Sequence, residues 1–138
     1  MKLVVDANVV MAALVKPSIT REVLLYPYID YYSPSYLLEE IKDHEGEIAT
    51  KAGKGYKEAL KTIMKKLIIV RYDSYKERMA EAKKIIGNID KDDVQYIALS
   101  LALDADGIWS YDGGIKKQNV VEVFSTGALI SLIRSGIV

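Results

Sequence analysis

The fold is decided by the first stretch of the chain, Lys2–Val15, which reads KLVVDANVVMAALV. Leu3–Val5 is a short apolar run rich in β-branched residues, which predicts a buried strand. Asp6 ends this run, and Asn8–Val15 is apolar and stops before Pro17, which predicts a helix. A buried strand followed directly by a helix is the unit from which parallel sheets are built.

The rest of the chain repeats this alternation of strands and helices. Further strands are predicted at Tyr28–Ser33, Leu67–Val70, Gly107–Trp109 and Val120–Val123. A short helix is predicted to end at Tyr26, with Ser18 or Thr20 as its cap, and another is predicted at Pro34–Asp43 with Ser33 as its N-cap. Four more helices are predicted at Tyr56–Lys66, Ser74–Ile86, Val94–Leu103 and Ser125–Arg134. The pattern predicts a single α/β domain over residues 1–138, a three-layer α/β/α sandwich with a central parallel sheet.

Composition restricts the chemistry. The 138 residues include nineteen Lys/Arg and nineteen Asp/Glu, so no bulk positive charge indicates a nucleic-acid partner. The absence of Cys excludes thiolate chemistry, and the single histidine, His44, excludes a histidine pair. No apolar run approaches the roughly 20 residues of a membrane span, and Asp6 comes too early for a signal-peptide core. We therefore expect a soluble, cytoplasmic protein whose catalysis uses carboxylates, hydroxyls, Lys or an oxygen-ligated metal.

Two acids follow predicted strands. Asp6 comes directly after Leu3–Val5, and Asp112 lies three residues after Trp109. Ligands of open parallel sheets bind beyond the carboxyl ends of the strands, so both acids are candidates for one site. The alternative is that they are ordinary loop or capping acids. Asn8 fits a helix cap and could also orient the Asp6 carboxylate.

Further acids come from two helices. Asp92 and Asp93 open the predicted buried helix, where acids also complement the helix dipole. Adjacent helical residues point about 100° apart, so at most one of them faces the same pocket as Asp6. Asp90 and Asp92 are better placed as capping and outer residues. Glu40 precedes Ile41 on a helix whose leucines point inward, so its stem is expected near the core.

Grouped carboxylates raise one another's pKa unless a cation neutralises them. Mg²⁺ or Mn²⁺ is the natural partner, because both ions prefer oxygen ligands and retain several waters. Such a site activates water and stabilises the charge that develops during phosphodiester cleavage.

The chain resembles the PIN-domain ribonucleases, most closely the virulence-associated toxins of the VapC type. The resemblance lies in four segments, which follow the family's order across nearly the whole chain: Val4–Asn8, Pro34 with Leu37–Ile41, Asp93–Ser100 and Trp109–Asp112. It implies an α/β/α fold and a catalytic quartet of Asp6, Glu40, Asp93 and Asp112. Asp6, Asp93 and Asp112 would be the metal ligands, and Asn8 and Ser110 would support them. The Asp92-Asp93 doublet leaves Asp92 open as the alternative to Asp93.

Basic side chains indicate where RNA could bind. Lys54, Lys57 and Lys61 recur at three- and four-residue spacing, which predicts a stripe on one helix. Such a stripe could follow a phosphate backbone or could simply be a solvated face. Lys116 and Lys117 come soon after Asp112 and are better placed to meet RNA entering the site.

The resemblance implies an RNA substrate, a small antitoxin partner and a homodimer. The expected function is therefore a metal-dependent endoribonuclease, the toxin of a toxin–antitoxin pair. Three alternatives stay open: a housekeeping RNA-processing nuclease, a non-catalytic PIN-like interaction module and a phosphoacceptor receiver domain. The strands offer no convincing Asp and Lys pair of the receiver kind.

Overall fold

The computed structural model describes residues 1–138, and its centre is a five-stranded parallel sheet. The strands are β1 (Lys2–Val5), β2 (Asp30–Pro34), β3 (Ile68–Val70), β4 (Gly107–Trp109) and β5 (Val123–Phe124). Their order across the sheet is β3-β2-β1-β4-β5, and every neighbouring pair is parallel. The central position of β1 buries Leu3, Val4 and Val5 completely, which explains why this strand is apolar without alternation.

Helices cover both faces of the sheet. They are α1 (Ala7–Val15), α2 (Ile19–Leu24), α3 (Tyr36–Asp43), α4 (Glu45–Ala52), α5 (Tyr56–Lys66), α6 (Met79–Ile86), α7 (Val94–Leu103) and α8 (Thr126–Arg134). The chain moves from β1 towards β3 in one direction and returns to β4 in the other, so right-handed crossovers place α1 and α5 opposite α7. Helix α1 packs against α4 and α5, and α7 packs against α6, β1, β2 and β4. This three-layer α/β/α sandwich confirms the predicted fold class.

The neighbouring strands β1 and β4 form the switch point of the sheet. The chain leaves β1 towards β2 and leaves β4 towards β5, so the two connections diverge on opposite sides. This divergence opens a crevice at the carboxyl ends of the two strands. Side chains that directly follow β1 and β4 therefore lie at the place where such sheets bind ligands.

The prediction that Ser33 caps a helix and that Pro34 begins it is wrong. Both residues belong to β2, where Pro34 pairs with Val70 of β3. The buried Ser33 hydroxyl donates to the carbonyl oxygen of Val5 at 2.7 Å, so it joins β2 to β1 and is not available as a cap. Ser35 is instead the N-cap of α3, and its backbone N–H donates to the Val70 oxygen at 2.8 Å.

Two further elements differ from prediction. The helix predicted from Ser74 begins at Met79 and is preceded by 3₁₀ turns at Tyr72–Ser74 and Lys76–Arg78. The strand predicted at Val120–Val123 is reduced to Val123–Phe124, because Oε1 of Gln118 accepts the backbone N–H groups of Val120 and Val121 and folds this segment into a turn. None of the helices combines the length and apolar character that crossing a bilayer requires.

Candidate functional site

Two polar side chains that follow the central strands are joined by a hydrogen bond. Asp6 comes after β1 as the N-cap residue of α1, and Ser110 comes directly after β4. The Ser110 hydroxyl donates to Oδ2 of Asp6 at 2.7 Å, and its oxygen accepts the backbone N–H of Asp112 at 2.9 Å. Because Asp6 and Ser110 are both buried, Ser110 holds Asp6 and the start of the Asp112 loop in a fixed relation.

Three carboxylates lie close together beside this pair. A 3₁₀ turn at Lys91–Asp93 precedes α7, and Oδ1 of Asp90 caps it by accepting the backbone N–H of Asp92 at 2.9 Å. One carboxylate oxygen each from Asp90, Asp93 and Asp112 lies within 4.8 Å of the others. Asp93 is only 4% exposed, and its Oδ2 atom is buried without a hydrogen-bond partner. A buried carboxylate oxygen without a donor is the kind of atom that a cation satisfies.

The protonation of this group reflects burial and mutual repulsion. Burial, followed by the closeness of the Asp112 carboxylate, raises the pKa of Asp93 to about 9. The pKa of Asp112 is lowered, mainly by its interaction with the neighbouring Asp93 carboxyl group. Burial also raises the pKa of Asp6, although the Ser110 hydrogen bond opposes this increase. Without a cation, burial and the neighbouring carboxylates therefore favour the protonated form of Asp93.

Glu40 approaches the same site from α3. It is half-buried, and its Oε1 atom accepts the hydroxyl of Tyr96 on α7 at 2.5 Å. Burial raises the pKa of Glu40 to about 7, the Tyr96 hydrogen bond opposes this, and the charge of Asp6 adds to it. Oε2 of Glu40 makes no hydrogen bond within the protein. Glu40 can therefore gain or lose a proton near neutral pH, which is the property of a general acid or base.

Replacing Tyr96 by Phe is expected to raise the pKa of Glu40 further. The hydroxyl stabilises the ionised carboxylate, and a hydrogen bond to a charged group is worth about 1.5–3 kcal/mol, so the pKa should rise by about one to two units. Carboxyl-carbon NMR titration of Glu40 measures this change. Tyr32→Phe is the matched control, since Tyr32 makes no hydrogen bond through its hydroxyl. An unchanged Glu40 pKa in Tyr96→Phe would contradict the assigned contact.

The acids line one open cavity of about 480 Å³ at the switch point. Seven of its 14 lining residues carry a carboxylate: Asp6, Glu40, Glu47, Asp90, Asp92, Asp93 and Asp112. The basic side chains in the lining are His44 and Lys51, and Lys51 is paired with Glu47 at 2.9 Å. The cavity therefore presents an excess of negative charge, which suits a cation and repels a phosphate group that arrives without one.

All four acids of the predicted quartet line this cavity: Asp6, Glu40, Asp93 and Asp112. The predicted supporting residues do not all lie in the same part of the site. Asn8 also lines the cavity, but its exposed side chain makes no hydrogen bond, and Asp6 itself occupies the capping position. Ser110, the other supporting residue that the resemblance implies, donates its hydroxyl to Asp6. Asp92 is exposed and accepts the hydroxyl of Tyr36 at 3.3 Å, which places it at the rim.

The lysines predicted to bind RNA lie outside the cavity. Lys54 lies on the 3₁₀ turn Gly53–Gly55 before α5, and Lys57 and Lys61 are exposed on α5. This helix runs away from the site, because Lys66 at its end donates to the carbonyl oxygen of Ile29, before β2. Lys116 and Lys117 follow the Asp112 loop on a 3₁₀ turn, and the charge of Lys117 helps to lower the pKa of Asp112.

Two residues of the site are not among those predicted from sequence. Asp90 is assigned there only a capping role, which it does have, but its carboxylate also belongs to the close group with Asp93 and Asp112. Tyr96 lies in an apolar helix and is buried, so nothing in the sequence separates it from core residues. The one available signal for Asp90 is its spacing of three residues from Asp93, which places both acids on one turn.

Comparison with known proteins shows similarity to a family model and to solved structures. A family model described as a PIN domain matches residues 4–121. The fold is also similar to a chain in the crystal structure of VapBC2 from Rickettsia felis bound to a DNA fragment from their promoter. That similarity has a TM-score of 0.67 and 14% sequence identity, and it covers 91% of this chain and 98% of the other. No curated protein sequence matches the chain.

Proposed function

The chain belongs to the PIN domain family, and from this premise we propose that it is an endoribonuclease that depends on Mg²⁺ or Mn²⁺. The observation that carries the proposal is the group of Asp90, Asp93 and Asp112 at the switch point, with a buried Asp93 oxygen that has no donor. Asp6 and Glu40 line the same cavity. An acidic cavity of this kind repels an anionic substrate unless a bound cation offsets the negative charge.

The donor set fits a hard divalent cation. All of the converging ligand atoms are carboxylate oxygens, and the chain has neither Cys nor a second His that would favour softer metals. We assign Asp6, Asp93 and Asp112 as ligands and add Asp90. When bound, the ion supplies a Lewis acid for the phosphate and lowers the pKa of water.

The chain's own residues orient the ligands and handle a proton. The Ser110 hydroxyl keeps Asp6 in place and ties it to the backbone of Asp112. The Tyr96 hydroxyl holds Oε1 of Glu40, which leaves Oε2 to accept or release a proton at neutral pH. Such proton transfer contributes about 10²–10⁴-fold to the rate in enzymes.

We further propose that the protein is the toxin of a toxin–antitoxin pair. The similarity to a chain of VapBC2, which was solved with promoter DNA, supports this proposal. It implies a small antitoxin partner, a homodimer and a cytoplasmic location.

The test of the nuclease proposal is RNA cleavage by the wild-type protein. We expect cleavage of at least one RNA in a panel of transfer and ribosomal RNA fragments with Mg²⁺ or Mn²⁺, and none with EDTA. Intact RNA throughout the panel with either ion would contradict nuclease activity and favour a non-catalytic interaction module. Growth arrest on expression distinguishes the toxin from a housekeeping nuclease, which should leave growth unaffected.

A further inference from the structure

A second groove, of about 570 Å³, lies directly beside the acidic cavity. It is formed by the start of α3, one face of α6, the turn that leads into α7 and the first turn of α7, and Asp92 lines both spaces. Its polar lining consists of Tyr36, Lys83, Asn88, Lys91, Asp92 and Gln95. The shared residue places the groove next to the rim of the acidic cavity.

The charge of this groove is opposite to that of the cavity. Lys83 and Lys91 are exposed, and neither forms a salt bridge. Asp92 is the only acid in the lining. Two free ammonium groups therefore offer sites for anions next to a cavity that repels them. Phosphates spaced along a nucleic-acid strand are anions of this kind.

The groove also holds groups that suit unpaired bases. The ring of Tyr36 is half-buried and its position is restrained by the hydrogen bond to Asp92. Oε1 of Gln95 accepts the hydroxyl of Tyr75, so the Gln95 amide N–H groups remain free, and the Asn88 side chain makes no hydrogen bond. An aromatic ring provides a stacking surface, and free amides can bond to base edges.

We propose that this groove binds the single-stranded RNA nucleotides that flank the scissile phosphate, with Lys83 and Lys91 on the phosphates and Tyr36 stacked on a base. The proposal rests on the proposed ribonuclease function. A strand whose phosphate lies in the acidic cavity reaches the groove by passing Asp92. A single strand is required, because the bases of a duplex are paired and stacked and cannot reach the Tyr36 ring.

The first test measures binding of a short fluorescent single-stranded RNA in an Asp6→Asn background, which prevents cleavage. Lys83→Ala/Lys91→Ala should raise Kd about tenfold and reduce the slope of log K against log salt by about 1.4, since each lost phosphate contact on a single strand contributes about 0.7. The matched control is Lys65→Ala/Lys84→Ala, which removes two exposed lysines that form no salt bridge and do not line the groove. Lys84 lies on the same helix as Lys83.

The second test separates stacking from charge. Tyr36→Ala should weaken RNA binding at least about fivefold without changing the salt slope. Tyr36→Phe should weaken it much less, because the ring makes the contact and the hydroxyl only restrains the ring through Asp92. A Tyr36→Ala variant that binds RNA as tightly as Tyr36→Phe would overturn the assigned stacking.

The outcomes also distinguish this proposal from the proposed function. If groove and control variants bind RNA equally while the wild type cleaves it, the groove assignment is wrong and the nuclease assignment stands. If the wild type cleaves no RNA but the groove variants alone lose RNA binding, the groove is an RNA-binding site, and the proposed nuclease function is wrong together with the placement of the bound nucleotides beside a scissile phosphate. An equal loss of binding to poly-glutamate would show a general site for acidic polymers and would overturn the assignment to RNA.

Discussion

Asp93→Asn is expected to reduce metal-dependent RNA cleavage by at least about 10³-fold while the protein remains folded. Asn keeps the shape of the side chain but removes the negative charge at the most buried carboxylate of the close group. A factor of 10³ corresponds to about 4 kcal/mol of transition-state stabilisation, which is within the several kcal/mol that a bound cation provides. Single-turnover cleavage with saturating Mn²⁺ measures the loss, and circular dichroism verifies the fold.

Two matched controls make this result specific. Asp104→Asn removes an exposed carboxylate after α7, at the edge of the sheet opposite the site, and Asn tolerates the φ of 48° at this position. Asp92→Asn changes the neighbouring residue, which lies at the rim. Asp104→Asn should cleave normally, and Asp92→Asn should retain most activity. Loss of cleavage in Asp92→Asn together with normal cleavage in Asp93→Asn would assign the ligand to Asp92.

The parts of the fold that sequence predicts well are those with an unambiguous apolar pattern. The predicted boundaries of Tyr56–Lys66, Val94–Leu103 and Gly107–Trp109 agree with α5, α7 and β4. Ser33-Pro34 misleads because a helix start and the end of a strand both accept this dipeptide. Ser33 lies in β2, where it contacts Val5. Because Val5 is distant in sequence, this contact cannot be predicted from the residues around Ser33.

The site is predictable to the extent that it follows from strand ends. Asp6 and Asp112 are identified because parallel strands bring their carboxyl ends to one edge of the sheet. The place of Asp90 in the site is not predicted from the sequence, because a capping role is sufficient to explain an acid at this position. In the structure its carboxylate also lies close to that of Asp93. The groove of Lys83 and Lys91 is not predictable either, since it depends on how α6 and the turn before α7 lie against α3.

Without a divalent cation, the stability of the protein is expected to fall as pH rises from about 5 to 9. The pKa of Asp93 is raised from its usual 3.8 to about 9, that of Glu40 to about 7, and that of Asp6 is also raised. Between the unfolded and folded pKa values of each group, the native state binds more protons than the unfolded state. The stabilising contribution of these three carboxyl groups is thus complete below about pH 4. It is lost as pH rises through the pKa values of the folded state.

The lowered pKa of Asp112 acts in the opposite sense but in a different window. Its contribution is present above its usual value of 3.8 and is lost only as pH falls below that, so it does not offset the decline between about pH 5 and 9. Each pKa unit is worth about 1.4 kcal/mol, so even part of the Asp93 shift should lower the free energy of unfolding by about 2 kcal/mol. Urea unfolding at several pH values in EDTA measures the decline.

A bound cation should reverse this decline, because it binds the ionised carboxylates that metal-free folding disfavours. At 100 times its Kd the ion adds about 2.7 kcal/mol to the free energy of unfolding, and its effect should grow with pH as Asp93 ionises. Asp93→Asn should flatten the metal-free pH profile and weaken the stabilisation by Mn²⁺, whereas Asp104→Asn should change neither. Two results would contradict the assigned centre, because each would show that metal binding does not involve the protonation of Asp93. One is a wild-type stability that does not change with pH in EDTA. The other is an Asp93→Asn stability that falls as steeply with pH as that of the wild type.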